Sequence, residues 1–63
     1  MCEARVLVEK DGRLEPFMDN VVTIKPEDGR LVLVDLFGSQ RFVEASIKEV
    51  RLLEHEVVLE ENA

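Results

Sequence analysis

Leu31-Val32-Leu33-Val34-Asp35-Leu36-Phe37 is the stretch on which the fold turns. Its apolar residues occupy both faces of an extended strand, and such a strand has to be covered on both sides. In so short a chain the second cover is either a partner chain or the opposite wall of one tightly curled barrel. Both remain open from the sequence. Asp28-Gly29 precedes the stretch and Gly38-Ser39 follows it. The Asp-Gly pair is the residue choice of a type I′ hairpin turn, in which both central residues need positive φ.

The same signals repeat on either side. Asp11-Gly12 is a second Asp-Gly turn, and Ala4-Arg5-Val6-Leu7-Val8-Glu9 before it alternates with a period of two. In Val21-Val22-Thr23-Ile24-Lys25 the spacing predicts Val22 and Ile24 facing in, with Pro26 ending that strand or sitting at a sheet edge. Gln40-Arg41-Phe42-Val43-Glu44 alternates again. Over 45–49, Ser46 with Glu49 three residues later fits the capping box of one helical turn, so a single turn of helix or a bend is expected there. Val50 to Leu53, a turn at Glu54-His55, and Val57-Val58-Leu59 read as a final hairpin, with Glu60 to Ala63 as a frayed polar tail. The fold class that follows is all-β, a small barrel or sandwich of about six short antiparallel strands forming one domain over 1–63.

A chain of 63 residues buries only about 60% of the surface it exposes when unfolded. Small natural domains commonly add a disulfide, a metal or a partner chain. The single cysteine cannot form an intrachain disulfide, which leaves metal and oligomer. No apolar run is long enough for a membrane span, and Glu3, Arg5, Glu9 and Lys10 interrupt any secretory signal. With a lone thiol, this places the protein in a reducing cytoplasm.

Eight Lys and Arg stand against 14 Asp and Glu, a net charge of −6. That balance speaks against RNA and DNA, whose binding depends on clustered cations that neutralise phosphate. The basic residues are dispersed among acids, and Trp and Tyr are absent. Nor does a catalytic set assemble. The one Cys and one His lie at opposite ends of the chain, with no third group to orient them. The three glycines are isolated and cradle no phosphate. The sequence reads as no enzyme.

Cys2 is the residue whose position has chemical consequences. If Met1 is removed, Cys2 presents an α-amine and a thiol that close a five-membered chelate, both with free pKa values near enough to neutrality for a metal to displace their protons. Amine, amide and thiolate donors suit square-planar Ni(II) or Cu(II), whereas tetrahedral Zn(II) favours more thiolates or imidazoles. Two Cys2 residues brought together by a two-fold axis would supply two nitrogens and two sulfurs. An incidental thiol at a strand start is the plainer reading. His55, in its turn beside Glu56, is a second conceivable ligand, and a solvent-exposed imidazole is the plainer reading there too. Met18 could offer a thioether, or act simply as an apolar loop residue covering the barrel's mouth.

The opening Met1-Cys2-Glu3-Ala4, the length, and the closing Ile47-Lys48-Glu49-Val50 and Val57-Val58-Leu59-Glu60 resemble the CooT family of small nickel-binding proteins. The similarity runs along the whole chain, but only the N-terminal motif is specific. It implies a homodimer binding Ni(II) through the second-position Cys at the dimer interface, here Cys2 from each chain. It also implies a carrier or chaperone role in metalloenzyme maturation, with a carbon monoxide dehydrogenase as recipient. Related sequences have also been labelled predicted RNA-binding proteins. The alternative is therefore a small RNA- or protein-binding β-barrel module with an incidental Cys2.

Overall fold

The computed structural model describes residues 2–62. Six strands form one sheet: β1 (Ala4–Lys10), β2 (Arg13–Glu27), β3 (Arg30–Asp35), β4 (Gln40–Val43), β5 (Ala45–Arg51) and β6 (Glu56–Glu61). They are ordered β4-β3-β2-β1-β6-β5. Between β4 and β5 stands Glu44 alone, yet these strands lie at the two ends of that order. A chain that leaves one end of a sheet and enters the other one residue later can do so only if the sheet curls. It forms a half-barrel, with β3 and β5 in contact across the curl.

Both Asp-Gly turns adopt the predicted conformation. φ is 52° and 77° at Asp11 and Gly12, and 54° and 79° at Asp28 and Gly29. A β-carbon is strained in this left-handed region, and glycine, with aspartate before it, tolerates it best. The turn after β3 is held differently. The Asp35 carboxylate oxygen Oδ1 accepts from the backbone N–H of Phe37 at 2.9 Å and of Ser39 at 2.8 Å.

β2 departs most from the sequence expectation. It is a continuous 15-residue strand that includes Met18, expected in a loop. At Asn20, where φ is 58°, it changes partner. Arg13 to Val21 pair with β1, and Val21 to Glu27 pair with β3. Each half therefore has a sheet neighbour on one side only, which is why both prolines are tolerated within the strand. Pro16 is registered with Leu7 and Pro26 with Leu31. A register shift between Val21 and Thr23 moves the alternation by one residue. As a result Val21 is buried and Val22 exposed, the reverse of the expectation.

The expected helical turn near 45–49 is absent, because those residues belong to β5. The irregularity the sequence suggested is a bulge between Ile47 and Glu49 in its pairing with β6. The Ser46 hydroxyl caps nothing and donates to Asn62 Oδ1 at 3.0 Å. The antiparallel expectation also fails at one place, since β1 and β6 run parallel. Glu60 and Glu61 belong to β6, and the Asn62 N–H donates to the Glu44 carbonyl at 3.1 Å, so the expected fraying does not hold for these three residues, while Ala63 lies outside the described residues.

The core lies on the concave side: Val6 and Val8 of β1, Val21, Leu31 and Leu33, Ala45, Val57 and Leu59. Burying each such Val or Leu contributes about 1.5–3 kcal/mol. Leu7, Val32 and Val58 are also buried, at alternate positions and therefore on the opposite face. Val32 is only 2% exposed. The doubly apolar strand is thus covered on both faces within one chain, so it does not call for a second chain. The uncovered apolar residues lie outside β3, and they include Leu36 and Phe37 of the turn that follows it.

Candidate functional site

Cys2 lies just ahead of β1 and is exposed. It stands on the rim of an opening of about 440 Å³ at one end of the half-barrel. Ala4, Val21, Ile24 and Val57 form the walls of this opening, with Val22, Val50 and Leu52 around it. Strand pairing explains why it is open. β1 begins opposite Val21, so on the β1 side no strand lies beside the second half of β2, and the end of the curl stays unfilled.

His55 reaches the same opening. The two conceivable ligands at opposite ends of the sequence therefore border one opening. The parallel pairing of β6 with β1 brings this about, because it sets the β5–β6 hairpin beside the start of β1. The Arg5 N–H donates to the His55 carbonyl at 2.8 Å, and the His55 N–H donates to the Leu52 carbonyl at 3.2 Å. His55 takes a left-handed φ of 57° to close the turn. Glu56, largely buried, lies between the guanidinium groups of Arg5 at 3.8 Å and Arg51 at 3.5 Å. The Arg51 guanidinium is held above the usual arginine range by its hydrogen bond to Glu49, reinforced by the charge of that carboxylate and by Glu56.

Glu3 borders the opening, and its Oε2 is buried with no hydrogen-bond partner among the described residues. Among the described residues no three His, Cys, Asp or Glu side chains are grouped to hold a metal. One chain therefore presents a thiol, an imidazole and a carboxylate around an opening without assembling a complete donor set from them. Met18 is excluded from this site. It packs against the core from within β2.

The hairpin tip was missed by sequence reasoning. β5 ends at Arg51, not Leu53, so the turn is Leu52-Leu53-Glu54-His55. Leu52 is 79% exposed and Leu53 92%. Two leucines in a hairpin loop, where polar residues normally stand, are the sequence signal that could have revealed it. With Val22 and Val50, Leu52 forms an exposed apolar rim next to the one thiol, and Leu53 follows it at the hairpin tip.

A curled six-stranded sheet with an apolar opening and one thiol on its rim defines a small all-β protein. The sequence model of the family described as "CO dehydrogenase accessory protein CooT" matches residues 1–60. The chain belongs to the CooT family. It is similar to a crystal structure assigned to CooT of Carboxydothermus hydrogenoformans, with a TM-score of 0.91 and 29% identity, covering 98% of this chain and 100% of that one. No curated protein sequence matches it. Proteins of this family are accessories of CO dehydrogenase, and the chain is not an enzyme.

Proposed function

We propose that the protein is a cytoplasmic Ni(II) carrier that works as a homodimer, with one nickel ion as cargo held by Cys2 of both chains, and that its recipient is a carbon monoxide dehydrogenase. CO dehydrogenase is a nickel enzyme, and an accessory to it has a reason to handle that metal. The observation that carries the reading is the setting of Cys2: an exposed thiol on an apolar rim formed by Val22, Val50 and Leu52, with the exposed Leu53 next in the hairpin tip. Exposed leucines beside an empty apolar opening favour burial by a second surface. An isologous dimer at this end would bring two Cys2 residues together and supply the donors that one chain lacks. Thiolate with backbone nitrogen is a donor set for square-planar Ni(II). The state of Met1 lies outside the described residues, and intact mass establishes whether the Cys2 amine is free.

The test is a titration of Ni(II) into the reduced protein, following the ultraviolet thiolate-to-nickel charge-transfer band. Saturation at one metal per two chains, lost in Cys2→Ser, is the expected result. A flat titration would make Cys2 an ordinary thiol and leave a small β-module that binds another protein or RNA.

A further inference from the structure

The convex face of β2, β3 and β4 carries cations that no carboxylate among the described residues engages. Of the eight Lys and Arg, Arg5, Lys10, Arg13, Lys48 and Arg51 each lie within 4.0 Å of a carboxylate. Among the described residues Lys25, Arg30 and Arg41 have no such partner. Arg41 is registered with Leu33, points to the concave side and is engaged with Phe17. Lys25 and Arg30 remain, and both are on the convex face. The register places Lys25, Val32 and Phe42 in one row across three strands. Arg30 does not turn to Glu27, its partner across the hairpin. Its guanidinium lies over the half-exposed Phe42 ring, 4.4 Å from the centroid. A cation held over an aromatic face keeps its N–H edges free for an anion.

The geometry points to this row as a docking surface for a carboxylate-rich extended segment of a second protein. On a chain of net charge −6 this face offers two cations, unengaged among the described residues, beside the half-exposed Phe42 ring. Phe42 and Lys25 are two strand spacings apart, roughly 9–10 Å. In a polyproline II segment, residues i and i+3 lie on one side about 9.3 Å apart. Two carboxylates at that spacing would meet Lys25 and Arg30 together, with the residues between them passing over the buried Val32 position and resting on the half-exposed Phe42 ring. Single-stranded RNA is the less favoured occupant, because the net negative charge repels a polyanion over its whole length while a short segment meets only the local field.

The probe is a fluorescein-labelled peptide, Glu-Glu-Pro-Pro-Glu-Glu, followed by fluorescence anisotropy with the full chain. The expected result is saturable binding that weakens as salt is raised. Lys25→Glu combined with Arg30→Glu weakens it roughly tenfold, as two partly exposed charge pairs imply. Arg13→Glu, away from the row, leaves it unchanged, and circular dichroism establishes that both proteins are folded. The inference is overturned by no saturation at millimolar peptide, by equal binding to the double variant, or by polyuridine binding where the peptide does not. Ni(II) binding is measured in the same variants. It is expected to be unchanged, so failure here and failure of the carrier reading are separate results.

Discussion

Arg41 lies across Phe17: its guanidinium carbon is 3.9 Å from the ring centroid, and Nη1 donates to the Phe17 carbonyl at 2.5 Å. β3 pairs only with the second half of β2, so the first half lacks a strand on that side. An arginine from β4 supplies the missing donor and closes the sheet across its concave side, 24 residues away in sequence.

Arg41→Ala is expected to cost about 1–2 kcal/mol, combining an exposed cation–π contact with a charge-assisted hydrogen bond. Arg41→Lys should recover less than half of it, because an ammonium cannot stack and donate in the same planar geometry. Urea unfolding of the three proteins measures both, and equal midpoints would show that the contact is incidental.

Asp35→Ala removes the acceptor for two backbone N–H groups. A loss of about 1–2 kcal/mol is expected, since each exposed bond contributes modestly. The more specific readout is hydrogen exchange, with faster exchange at Phe37 and Ser39 and little change in β1.

Leu53→Glu tests the exposed hairpin tip that adjoins the apolar rim. Leu53 is 92% exposed, so the substitution leaves the fold of one chain intact while burying a charge in any interface formed there. If the dimer forms at this end, sedimentation will show a monomer and one nickel per two chains will be lost. Phe37→Glu, 78% exposed on the turn after β3, should change neither.

Lys48 donates to both carboxylate oxygens of Glu9, at 2.6 and 2.7 Å. This hydrogen bond, with the charge of Glu9, raises the lysine above its usual value of 10.5. A group whose pKa is raised by folding contributes stability that is fully present below its unfolded value. That contribution is lost as pH rises through the folded value. Lys48→Met should therefore lower the thermal midpoint at pH 7 to 9, and the difference should shrink above pH 10.5. A difference that persists at high pH would assign the effect to packing of the lysine stem.

The period of two in Ala4 to Glu9, the Asp11-Gly12 and Asp28-Gly29 turns and the doubly apolar Leu31 strand were enough to read an all-β fold. These features depend on residues within a few positions of one another, through steric limits on φ and the alternation of side chains along a strand. Cys2 was legible as the reactive residue for the same reason, since its chemistry is its own.

What the linear order left undecided depends on pairings between distant segments. The capping-box pattern at Ser46 and Glu49 is local and weak, and edge pairing of Ala45–Arg51 with β6 overrides it. The change of partner at Asn20 follows from where β1 and β3 end, and with it the exchange of Val21 and Val22. The parallel docking of β6 on β1 joins the two ends of the chain and brings His55 and Leu52 to the opening that Cys2 borders. Hydrophobic burial rewards any arrangement that removes apolar area from water. Which distant strands meet is settled only when the whole sheet curls and its backbone hydrogen bonds are shared out.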